Sequence, residues 1–303
     1  MANATPYDHI TETIIKALEA GNVVWQKPWQ TKKPCNAITG EAYRGINPFL
    51  LMLAGDYADH RWVTYKQAEE LGGNVKKGEK ATWIVYSSPI VKKDKATDQV
   101  VGKYWLMRAY RVFNVEQCEN LSKLKPLGEL PNSEVDPNVK AEELWARYAD
   151  APTVKNGDVA CYTPSLDIIT MPRREMFKTN AHYYATLYHE GAHSTGHTSR
   201  LNRKGVMESD GFGGYVYSIE ELVAEFTSAF LIAEAGLDAP THENTVAYIQ
   251  SWIQALKDDK TLVVKAASQA QRVADYMLGI KPKHAEPDES DTVATDEKAL
   301  ATV

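Results

Sequence analysis

Residues 189–197 of this 303-residue chain read HEGAHSTGH, and the HExxH that opens them constrains local structure and chemistry together. An α-helix turns once every 3.6 residues, so His189 and His193 leave it from one face with Glu190 between them. Their ring nitrogens can converge on a single divalent cation, and Glu190 can reach a water on that cation as general base. Two imidazoles make only half of a catalytic centre, because such a centre takes three protein ligands and keeps one position for water.

Three places compete for the third ligand. The longer spacing HExxHxxGxxH would require a histidine six residues after His193, where Ser199 stands. His197 joins the same face only if the helix runs on through Gly196, a residue that ends helices. Residues 217–225, YSIEELVAE, offer more: Ser218 can cap an apolar helix on which Glu221 and Glu225 lie one turn apart. Glu221 could hold the cation while Glu225 accepts a hydrogen bond from a ligand histidine and fixes its tautomer. Glu220 is the neighbouring alternative, and Glu221 also fits the third position of a capping box opened by Ser218. Tyr217 or Tyr215 could donate to an oxyanion. Two imidazoles and a carboxylate suit Zn²⁺, and accept Mn²⁺ or Co²⁺ as well.

The net charge of −6 conceals two unlike halves. Residues 1–126 carry 18 Lys and Arg against 13 Asp and Glu, a balance of +5, whereas the rest carries 16 against 27, a balance of −11. Five of the seven tryptophans lie in the basic half. Flat rings and cations alternate through Trp25, Lys27, Trp29, Lys32, Tyr43 and Arg44, and Lys76 and Lys77 follow in a turn. Stacking on unpaired bases and neutralisation of phosphates need this mixture, so single-stranded nucleic acid is the candidate partner of this half. No apolar run approaches the ~20 residues of a membrane span, and no signal sequence opens the chain, which gives a cytoplasmic expectation. Cys35, Cys118 and Cys161 are scattered, without CxxC spacing, and are expected to be reduced thiols.

Apolar periodicity predicts helices over 6–20, 48–58, 64–71, 139–149, 180–195, 219–235, 242–256 and 260–278. Asn180 is the expected cap of the helix carrying the histidines. Residues 81–86 and 103–114 read as paired strands joined by a polar stretch, 159–162 and 167–171 as further strands, the last an ordinary sheet strand or, as the alternative, an exposed one that could pair with an extended peptide. The expected organisation is α+β: a small domain at 1–126, a linker at 127–138, a second domain at 139–281, and a disordered acidic tail at 282–303.

The runs WQKPW (25–29), PCNAITGEAYRGIN (34–47) and RWVTYKQAEELGGNVKKGEKAT (61–82) resemble the domain shared by ArdC-type plasmid antirestriction proteins and the N-terminal part of TraC-type conjugative primases. HEGAHSTGH and YSIEELVAE resemble the zincin-like, gluzincin-type metallopeptidase domain that follows it in ArdC proteins. The resemblance implies a single-stranded-DNA-binding domain ahead of a thermolysin-like metal site, and protection of incoming plasmid DNA from host restriction during conjugation. Carried over, it makes His189, His193 and Glu221 the ligands and Glu190 the catalytic glutamate. The alternative within it is a metalloprotease that cleaves a host protein and uses the first domain for DNA targeting.

Overall fold

A computed structural model describes residues 5–26, 33–93, 100–127, 136–207, 215–238, 245–281 and 293–295. The chain is α+β and divides into two compact units. The first takes Met1–Ile14, Gln30–Pro131 and His284–Val303; the second takes Ile15–Trp29 and Asn132–Lys283.

The chain opens on α1 (Pro6–Glu19), whose Ile10, Ile14, Ile15 and Leu18 are buried on one face. Gly21 ends it at φ +76°, a left-handed conformation that glycine adopts without a Cβ penalty. In the first unit, β1 (Cys35–Asn36), α2 (Asn47–Leu53), β2 (Arg61–Val63), α3 (Tyr65–Glu70) and β3 (Asn74–Val75) precede the hairpin of β4 (Thr82–Lys93) and β5 (Val100–Asn114), and β6 (Cys118–Glu119) pairs back with β3. Thr64 caps α3 through a reciprocal box with Gln67. α2 is shorter than its apolar pattern suggests, closing at Leu53 just before Gly55. The sheet runs β1-β2-β5 with β4 antiparallel to β5, which sets Trp83 opposite Arg111 and Tyr86 opposite Arg108. Leu51, Trp62, Ile84 and Val112 form its core, since alternate residues of β4 and β5 share one face with α2 above them.

The second unit holds α4 (Pro137–Ala146), β7 (Thr153–Asn156), β8 (Cys161–Thr163), β9 (Ile168–Met171), α5 (Asn180–Ser194), α6 (Lys204–Met207), α7 (Tyr215–Ala235), α8 (Thr245–Asp258) and α9 (Leu262–Met277). The strand order is β7-β9-β8, parallel between β7 and β9 and antiparallel between β8 and β9. The strand expected at 167–171 is therefore an ordinary sheet strand and not one open to a peptide: β9 is paired on both sides, and its hydrogen-bonding groups are taken by β7 and β8. Helix α7 is buried along most of its length from Leu222 to Ala235, as an apolar helix with little polar relief must be, and packs against α5 and α9. It starts at Tyr215, so Ser218 lies inside its first turns and opens no capping box for Glu221.

Of the expected tail, Val293–Thr295 form β10, parallel to β5 at Trp105–Met107. The remainder of the tail, and residues 128–135 of the expected linker, lie outside the described residues.

Candidate metal centre

α5 is capped by Thr179, whose side chain accepts from the backbone N–H of His182; Asn180 is the first helical residue instead of the cap. The helix ends at Ser194, so His197 falls in the following turn, where its Nδ1 lies 2.8 Å from Ser199 Oγ, and it takes no part in the cluster. Gly191 lets the back of α5 approach its neighbours: a Cβ there would stand 2.6 Å from Trp145 Cζ3 and 2.9 Å from Met277 Cε.

On the front face, His189 and His193 Nε2 lie 3.1 Å apart. Glu221 on α7 faces both rings, one oxygen to each: its Oε2 lies 3.5 Å from His189 Nε2 and its Oε1 3.3 Å from His193 Nε2. Ligands at the usual ~2.0 to 2.1 Å from a tetrahedral Zn²⁺ are separated by about 3.3 Å. The three contacts are of that order, and one ligand atom from each residue lies within 4.8 Å of the other two, so this donor set fits a divalent cation of zinc size. Among the described residues, His189, His193 and Glu221 are the group of donors that converges in this way.

Each ring also has an outer partner. His193 Nδ1 lies 3.3 Å from Glu220 Oε1, and His189 Nδ1 lies 3.9 Å from Glu225 Oε1. Glu220 and Glu221 thus diverge from adjacent positions on α7, one to the outer nitrogen of His193 and the other to the inner nitrogens of both rings. Glu220 is bound in turn by Arg203, a 5% exposed guanidinium whose Nε donates to Oε2 at 3.1 Å, whose Nη2 donates to Oε1, and which also reaches Ala192 O and Thr195 Oγ1. Burial alone would raise the Glu221 carboxyl; the two imidazoles outweigh it and hold it well below the usual carboxylate range. Burial disfavours a charged His193, yet Glu220 and Glu221 reverse that and raise it well above its ordinary value.

A cavity of about 400 Å³ opens on the cluster, lined by Glu190, Tyr217, Cys161 and Tyr162 besides the donor residues. Four carboxylates line it, and Glu220 is neutralised by the buried Arg203, so the cavity favours a cation. Glu190 Oε2 accepts from the backbone N–H of Tyr162 on β8 at 2.7 Å. That edge is held by Asp167, which accepts from Tyr162 Oη at 2.9 Å and forms a two-pronged pair with Arg200 at 2.8 Å; Arg200 also donates to Ser194 O at the end of α5. Neither Arg200 nor Arg203 was marked in the sequence, because a buried arginine beyond a helix end has no local pattern.

The candidates for nucleic acid fare differently. Arg44, Lys76 and Lys77 are exposed on the first unit, with Lys76 Nζ donating to Glu116 O at 2.8 Å. Tyr43 is partly buried against the Leu51–Trp62 core, and burial pushes its hydroxyl up to about 12. Trp25 is corrected: it belongs to the second unit, is 2% exposed and presents no face to a base. Lys27, Trp29 and Lys32 lie outside the described residues.

Residues 4–113 match the family model described as the N-terminal domain of anti-restriction factor ArdC, and residues 140–269 match that of a zincin-like metallopeptidase. Two Escherichia coli DNA primases TraC are 37% and 36% identical over 91% of this chain, which spans 20% and 27% of their lengths. An uncharacterized Sinorhizobium fredii protein, y4eC, is 32% identical over 89% of this chain and 91% of its own. The crystal structure of the antirestriction protein ArdC from plasmid R388, metal-free, superposes with a TM-score of 0.71 at 38% identity, covering 91% of this chain and 99% of that one. Its Mn(II)-bound form gives 0.71 at 39%, covering 90% and 97%.

Proposed function

The chain belongs to the ArdC antirestriction family and carries a zincin-like domain, and from that premise we propose that it protects incoming plasmid DNA by binding single strands with its first unit and a divalent metal with its second. The observation that carries the metal reading is the convergence of His189 Nε2, His193 Nε2 and the Glu221 carboxylate, with contacts of 3.1 to 3.5 Å and one Glu221 oxygen facing each ring. Zn²⁺ suits the donors, and the Mn(II)-bound R388 relative supports a divalent ion of similar size. Bound there, the cation would supply Lewis acidity toward a carbonyl oxygen and toward a water. Glu190 takes the proton as the water oxygen adds to the carbonyl carbon, and delivers it to the amine nitrogen as the C–N bond breaks. Tyr217, on the same cavity, donates a hydrogen bond to the carbonyl oxygen as it gains charge. Glu220, 3.3 Å from His193 Nδ1, holds that ring in the tautomer that turns Nε2 inward, and the Glu225 carboxylate, 3.9 Å from His189 Nδ1, favours the same tautomer there by its charge.

DNA binding draws on the basic balance of residues 1–126 and on exposed Arg44, Lys76 and Lys77. A second reading, a metalloprotease acting on a host protein, draws support from β8, an edge strand lining the cavity beside Glu190, where an extended peptide could pair. Glu190→Gln separates the two. The variant is expected to keep metal, measured by elemental analysis, and to lose peptide hydrolysis. Full protection of transferred plasmid DNA by Glu190→Gln would exclude proteolysis from the protective role, and the absence of stoichiometric metal in the parent would remove the metal reading.

A further inference from the structure

We infer that Trp25 is a positioning residue of the metal centre, its indole N–H fixing the Glu225 carboxylate that stands behind His189. The inference rests on the proposed metal site. Trp25 lies in a short turn, Val24–Gln26, with its ring edge-on to Phe226 at 4.8 Å and to Trp252 at 5.3 Å. Those contacts would be met by any large ring. The indole nitrogen does something a plain ring cannot: Nε1 donates to Glu225 Oε2 at 3.3 Å, across 200 positions of sequence. The other oxygen of the same carboxylate, Oε1, is the one facing His189 Nδ1.

The terminal torsion of a glutamate is soft and roughly two-fold, so an unrestrained carboxylate can swing its plane away from the ring. A donor on Oε2 holds that plane, and with it the oxygen presented to Nδ1. Glu225 is 9% exposed, which leaves solvent little access to do the same. Oε1 stands 3.9 Å from Nδ1, longer than a hydrogen bond, so its charge favours the proton on Nδ1, and that tautomer leaves the Nε2 lone pair for the cation.

The test is titration of the metal-free full chain with Co²⁺ alone, followed by visible absorption, for the parent, Trp25→Phe, Glu225→Gln and the double variant. Outer partners of metal-bound histidines typically contribute about 10- to 100-fold in affinity. Glu225→Gln is expected within that range, and Trp25→Phe near or below its lower end, with little change in the melting temperature of the metal-free protein. On the Glu225→Gln background, Trp25→Phe should add nothing further. Co²⁺ affinity equal to the parent's in Trp25→Phe or in Glu225→Gln, or losses that multiply in the double variant, overturns the inference. So does a Trp25→Phe protein that loses only oligonucleotide binding. If instead the parent and His189→Ala take up Co²⁺ equally poorly, the metal site itself is refuted.

Discussion

Replacing Glu220 with glutamine tests the buried pair that locks α7 to the end of α5. The change keeps size and removes charge. Glu220 and Arg203 are each 5% exposed, and the guanidinium reaches both carboxylate oxygens. An amide offers one acceptor where the carboxylate offered two, and no counter-charge, so the guanidinium is left buried and uncompensated. Removing one partner of such a pair costs about 3–5 kcal/mol. For a folding unit of this size each kcal/mol lowers Tm by about 2–4 °C, which places the expected fall at roughly 6–20 °C. The assay is thermal unfolding by circular dichroism with a chelator present, so that metal affinity does not enter. Arg203→Met should also fall, by leaving the buried carboxylate with His193 as its remaining partner, and the double variant should lose less than the two single losses combined, by about 2 kcal/mol. Melting of Glu220→Gln within about 2 °C of the parent, or strict additivity in the double, would refute the argument.

Other outcomes follow from the same geometry. Gly191→Ala should destabilise by about 1–3 kcal/mol through overpacking against Trp145 and Met277, read as a lower Tm, and an unchanged Tm would mean α5 shifts freely. The Arg200 hydrogen bonds hold the Asp167 carboxyl below its ordinary 3.8, so the pair's stabilisation is complete above that pH and is lost as pH falls through the lower folded value. The difference in Tm between the parent and Asp167→Asn should therefore be steady from pH 7 down to about 4.5 and shrink below about 3.8; a difference that widened in acid would contradict this. If Arg44, Lys76 and Lys77 each meet a phosphate, changing all three to alanine should flatten the log–log salt dependence of binding to an unstructured oligonucleotide by about 2, and an unaltered slope would move the interface elsewhere.

The long helices are legible because their apolar faces repeat over three turns or more, as along α1 and α9, whereas β1, β2, β3, β6 and β7 are two to four residues long and carry no readable period. In the site, the spacing of His189 and His193 fixes their common face without knowledge of anything distant. The choice between Glu220 and Glu221 is different in kind: both are buried on α7, and what separates them is Arg203, which neutralises one and leaves the other facing the imidazoles. The sequence offers Trp25 as a stacking residue because a tryptophan among lysines looks the same whether its ring is outside or in. Only the return of residues 15–29 to the second unit reveals which.

That return has a consequence for modularity. The zincin-like match begins at residue 140, yet the unit that folds around it begins at Ile15. A gene fusion or a proteolytic fragment that keeps only the C-terminal stretch leaves behind Val24 and Trp25, both at most 2% exposed in the intact protein. The two units are thus interleaved along the polypeptide, and neither can be inherited, transplanted or assayed as an uninterrupted piece without cutting into the other.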